Sequence, residues 1–158
     1  MWARSLLGLA GLVAFAAFAV ADARALAARR GVPVAWVLLA TGATILAGFA
    51  HLALTPSHWD ESVVYGLFFL VAGLVQLLLA AVMGRHTAGD RVWPSVAVVN
   101  LVLAGVYVVT RLVPPFGADV PEPIDAIGVV TVVAEVVAAA AGALVGRRLS
   151  CGVVSPPP

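Results

Sequence analysis

The stretch His51–Glu61, HLALTPSHWDE, gathers two histidines and two acids into eleven residues. It separates two long apolar runs, VAWVLLATGATILAGFA at 34–50 and VVYGLFFLVAGLVQLLLAAVM at 63–83. How it is read decides how those runs face each other. Proline lacks a backbone N–H and usually ends a helix, so Thr55-Pro56-Ser57 reads as a stop. Thr55 or Ser57 can then cap a new helix, with Asp60 three residues after Ser57 as in a capping box. The two runs become antiparallel neighbours, with the polar stretch as the short turn at one end.

The rest of the chain supports helices in a membrane. Of 158 residues, 63% are hydrophobic and 11% charged, with mean hydropathy +1.09. A soluble domain keeps about 25% of its residues charged. Windows approaching the roughly 20 apolar residues that cross a bilayer occur at Ser5–Ala21, Val34–Leu54, Glu61–Met83, Trp93–Val113 and Ile124–Val145. The expected fold is an all-α, polytopic transmembrane bundle of five spans. It forms a single domain over residues 1–149, followed by a disordered tail at 150–158. A net charge of +1 offers no concentrated basic face for nucleic acid. The lone Cys151 has no partner in the chain for a disulfide.

Arginine placement sets the expected orientation. Arg24, Arg29, Arg30, Arg85, Arg91, Arg147 and Arg148 all fall on one side of a five-span layout, and Arg4 and Arg111 on the other. The positive-inside rule then puts the N-terminus outside and the C-terminus in the cytoplasm, with HLALTPSHWDE on the outer face. The first 25 residues also have the charged start, apolar middle and small-residue end of a signal peptide. Cleavage there would turn the arginine-rich loops outward, so the first helix is read as retained.

Polar residues within the spans fall on common helix faces, since side chains three and four apart stack. One expected layer near the midplane holds Thr41, Thr44, Gln76, Asn100 and Glu135. An outer layer holds His51, His58, Asp60, Glu61, Arg111, Glu122 and Asp125. For Thr41, Thr44, Gln76 and Asn100 the plainer account is hydrogen bonding between helices. Glu135 differs, because hydrocarbon disfavours its ionised form. It is either protonated and bonded to Asn100 or Gln76, or it is a proton or cation site. In the outer layer, imidazoles and a carboxylate from His51, His58 and Glu61 are ligand types for a divalent metal such as Zn²⁺ or Cu²⁺. Glu122 or Asp125 would complete the set, and Arg111 would tune its charge. The plainer account is polarity at the headgroup boundary, with Arg111 neutralising the acids. Haem would need histidines on facing helices at one depth, which His51 and His58 offer only at the surface. His86 reads as a solvated loop residue. No nucleophile with an oriented base and no phosphate-cradling glycine loop is present, so catalysis is not expected.

The segments HLALTPSHWDE…YGLFFLVAGLVQ and TRLVPPFGADVPEPID resemble a group of small, uncharacterised actinobacterial integral-membrane proteins, over roughly residues 35–145. The resemblance implies a compact helical bundle in a bacterial plasma membrane and carries no activity to any residue. Two expectations for function follow. One is a non-catalytic structural or accessory subunit whose polar stripes serve packing and partner contacts, as a homo-oligomer or within a larger complex. The other is a metal-, cation- or proton-binding or translocating protein, in which the outer cluster leads to Glu135.

Overall fold

The computed structural model describes the backbone of residues 2–83, 85, 91–115 and 120–151, and side chains from residue 10 onward apart from Leu12. Among the described residues five helices follow in order: α1 (Trp2–Arg30), α2 (Val34–Glu61), α3 (Val63–Met83), α4 (Val92–Leu112) and α5 (Ala126–Cys151). No strand occurs among the described residues. Helices α2 to α5 are each long and apolar enough to cross a membrane.

The expected stop at Thr55-Pro56-Ser57 does not form. Helix α2 runs through Pro56 to Glu61. A proline removes one N–H from the ladder, and neighbouring hydroxyls can serve the carbonyls around it. Here Thr55 Oγ1 donates to the His51 carbonyl at 3.0 Å, and Ser57 Oγ donates to that of Leu54 at 2.9 Å. The capping box with Asp60 is therefore not made. The chain turns instead at Ser62, whose backbone is extended (φ −162°, ψ 137°). Its hydroxyl accepts the N–H of Val64 at 3.3 Å and so caps α3. The bare Cα of Gly66 lies against the Trp59 ring, which closes this turn tightly.

The other boundaries follow local chemistry. Helix α1 continues past the expected end at Ala21, because ADARALAARR loses apolarity without losing helix propensity. It ends at Gly31, which takes a left-handed φ of +63°, and Pro33 precedes the first residue of α2. Helix α5 begins at Ala126 and continues to Cys151, so Ser150 and Cys151 belong to it rather than to a disordered tail. Residues 152–158 lie outside the described residues.

Helix α2 packs against α1, α3 and α5, while α4 packs mainly on α5 and meets α3 over little of its length. Small residues allow the close crossings. A Cβ on Gly73 would lie 2.8 Å from the Gly48 carbonyl oxygen, so α2 and α3 touch backbone to backbone there. Gly142 and Gly146 seat α5 against Val96 and Trp93 of α4. The bundle is unequal along its axis. At the end where α1 and α3 finish, Val37, Met83, Trp93, Val96 and Val145 interlock as an apolar core. At the other end, where α2 passes into α3, the helices part. We call these the packed end and the open end.

Candidate functional site

Four helices each send one polar side chain to the boundary between the two halves. Gln76 of α3 donates through Nε2 to Asn100 Oδ1 of α4 at 3.1 Å and to Glu135 Oε1 of α5 at 3.2 Å. Asn100 gives its own amide hydrogen to the Val96 carbonyl at 2.9 Å. His51 of α2 completes the group, with Nε2 3.8 Å from Glu135 Oε1. Gln76, Asn100 and Glu135 are buried almost completely, and His51 is only 6% exposed. Counted at about 1.5 Å per residue, His51 lies roughly 15 Å inside the Glu61 end of α2, and Glu135 roughly 14 Å inside the Ala126 end of α5. That is about half of a 30 Å hydrocarbon layer.

The tautomer of His51 follows from its other nitrogen. Nδ1 lies 3.0 Å from the Ala47 carbonyl, which only accepts, so Nδ1 carries hydrogen. In the neutral ring Nε2 is then a bare acceptor, 3.8 Å from Glu135 Oε1 and so beyond direct hydrogen-bond distance. One additional proton, held by one group or the other, gives either neutral histidine with a carboxylic acid, or imidazolium with carboxylate. Both arrangements have zero net charge. Removing that proton leaves a lone buried anion, and adding another leaves a lone buried cation. Either is costly in a low-dielectric interior, so the pair is suited to hold one proton.

Above the pair a cavity of about 1250 Å³ opens between α2, α3, α4 and α5. Arg111, Glu122 and Asp125 stand at its mouth, Phe68, Phe69 and Val106 form part of its wall, and His51 and Glu135 lie at its inner end. The mouth is braced by charge. Arg111 Nη2 donates to Asp125 Oδ2 at 3.3 Å, and Nη1 donates to Thr110 Oγ1 at 2.9 Å. Its guanidinium lies 4.1 Å from the centroid of the Tyr107 ring. Asp125 also caps α5, accepting the N–H of Gly128 at 2.7 Å. The Glu122 N–H donates to the Thr110 carbonyl at 2.9 Å, pinning the stretch before α5 to α4.

The expected metal ligands His51, His58 and Glu61 do not converge. Because α2 is continuous, His58 lies two turns beyond His51, roughly 10 Å along the axis. His58 donates from Nδ1 to the Leu54 carbonyl at 2.9 Å and stacks on Phe69 with ring centroids 3.8 Å apart. Glu61 is exposed at the helix end. No group of three His, Cys, Asp or Glu residues among the described residues is placed to hold a metal ion. Asp125, proposed as a fourth ligand, is occupied by Arg111 and the α5 cap.

Of the expected midplane layer, Gln76, Asn100 and Glu135 meet. Thr44 bonds its own helix at the Ala40 carbonyl (2.7 Å), and the buried Thr41 hydroxyl has no partner among the described residues. Both threonines lie nearer the packed end. The pairing of His51 with Glu135 is the feature that sequence reading missed. Its signal was the spacing Thr44, Gly48, His51, which puts the imidazole on the same face as the buried threonine. His86 lies outside the described residues, and Cys151 is an exposed free thiol. Comparison with protein-family models, curated proteins and solved structures finds no match.

Proposed function

We propose that this chain is a multi-pass protein of a bacterial plasma membrane that binds one exchangeable proton or small cation at the His51–Glu135 pair. The supporting observation is the buried carboxyl facing an imidazole acceptor, 3.8 Å away, at the inner end of a cavity. An ionisable pair at this depth has a cost that packing alone does not require. In this reading α1 is retained as a fifth span and the N-terminus is outside. The arginines near the packed end face the cytoplasm, so the cavity opens outward. The apolar core at the packed end closes the site on the cytoplasmic side.

A second reading rests on one specific observation. The two Gln76 hydrogen bonds tie α3, α4 and α5 together, as they would in a structural or accessory subunit. The readings separate at Glu135. Infrared difference spectra of the protein in lipid, stepped across pH, are expected to show a protonated-carboxyl band that comes and goes. That band should disappear in Glu135→Gln. The amide preserves an acceptor for Gln76, so the variant should lose no more than about 1 kcal/mol of stability. A spectrum with no titrating carboxyl assignable to Glu135 would leave the structural reading in its place.

A further inference from the structure

We propose that the cavity takes a lipophilic primary ammonium, a protonated amine on an apolar body, which enters sideways from the bilayer between α3 and α4. The proposal rests on the reading of His51–Glu135 as an exchangeable site, and names what exchanges there.

The inner end of the cavity offers acceptors. His51 Nε2 is an acceptor in the tautomer fixed by Ala47, and the ionised Glu135 carboxylate is another. Their complement is a cation that carries several N–H groups. A primary ammonium has three.

The charges around the cavity agree. The titratable and charged groups facing it are His51 and His58 from α2, Tyr65 from α3, Tyr107 and Arg111 from α4, Glu122 and Asp125 from the stretch before α5, and Glu135 from α5. Arg111 is already engaged by Asp125 and the Tyr107 ring. Ion pairs among the described residues are limited to Arg111–Asp125 and His51–Glu135. Glu122 at the mouth lies outside both pairs and biases the space against anions and towards a cation.

Size and lining select an organic body. At about 1250 Å³ the cavity exceeds the roughly 300–1,000 Å³ typical of small-molecule sites and is far larger than a bare ion needs. Phe68 and Phe69 offer aromatic faces beside the site. On the α3–α4 side the lining residues Val64, Phe68, Val102 and Val109 are exposed at the bundle surface. A second, apolar groove of about 420 Å³ continues between the same helices. An apolar body can therefore remain in contact with lipid while its head reaches Glu135. When the ammonium binds, the O–H bond of the Glu135 carboxyl breaks and its proton leaves through the mouth to water. One positive charge enters and one departs, so the site stays neutral.

The test uses the full chain in lipid nanodiscs, with naphthylethylammonium as a fluorescent probe and empty nanodiscs as the partition control. Saturable binding is expected, with about one proton released per probe bound. Two analogues, naphthylethanol and the trimethylated quaternary ammonium, should bind about tenfold more weakly or worse, since each lacks the charged N–H donors. Glu135→Gln should lose binding by a similar factor. Gly105→Leu provides a variant that leaves the site intact. Gly105 lines the cavity and a Cβ there meets nothing within 4 Å. A leucine should obstruct entry and weaken probe binding about tenfold while the Glu135 infrared band titrates as before. Equal binding of all three probes to the wild-type chain, or no binding of the ammonium, would overturn the proposal. If the Glu135 band still titrates in that case, the ligand class is wrong and the proton site stands. If the band is also silent, both readings fail.

Discussion

Replacing Gly73 with leucine should destabilise the bundle by about 3 kcal/mol or more. The first side-chain carbon would fall 2.8 Å from the Gly48 carbonyl oxygen and 2.8 Å from Leu52. The carbonyl belongs to the backbone of a packed helix and cannot swing aside, so α2 and α3 must separate. The consequence reaches the site. His51 and Gln76 each lie three residues beyond the glycine of their own helix at this crossing, so the contact sets how far the imidazole stands from the polar layer. Gly105→Ala is the matched control. It adds a methyl group in open space and should raise stability by about 0.4–1 kcal/mol through the unfolded chain. Unfolding of the two variants in detergent, measured side by side, checks the pair. Equal stability would mean that α2 and α3 do not cross at Gly48 and Gly73.

Gln76→Leu should produce the second large effect, a loss of about 1–3 kcal/mol. Gln76 is the sole donor that the described residues offer to both Asn100 Oδ1 and Glu135 Oε1. In a soluble core, each stranded acceptor would cost about 1–3 kcal/mol. Within a membrane the unfolded reference also finds partners, and a bond is worth nearer 0.6 kcal/mol, at most about 1.7. Two such bonds together give about 1–3 kcal/mol, with the upper end set by the carboxyl. Reversible unfolding in mixed micelles measures it. No change in stability would show that the three side chains do not meet.

How much of this was legible beforehand depended on which residue carried the information. The apolar windows Val34–Leu54, Glu61–Met83, Trp93–Val113 and Ile124–Val145 place four helices, because hydrocarbon thickness and helix rise leave little freedom. The level of Gln76 and Asn100 followed from counting residues from helix ends that the chain marks clearly. His51 was misplaced for the same reason in reverse. Pro56 reads as an end, and counting from it put the imidazole at the surface. The hydroxyls of Thr55 and Ser57 bond backwards onto carbonyls, and the chain turns only beyond Glu61, where Trp59 packs on Gly66. Extending α2 to Glu61 carried His51 about 10 Å inward. The cavity was not legible at all. It arises because α4 follows α5 rather than α3, and that depends on how Gly142 and Gly146 fit Trp93 and Val96 across helices far apart in sequence.

The central claim is that His51 and Glu135 share one titrating proton in the middle of the bundle. Nitrogen-15 NMR of histidine-labelled protein in lipid bilayers reads it most directly, comparing wild type with Glu135→Gln across pH. The expected result is a neutral His51 ring protonated at Nδ1, with a titration that moves when the carboxyl is replaced. A His51 signal with the same tautomer population and the same titration in both proteins would contradict it.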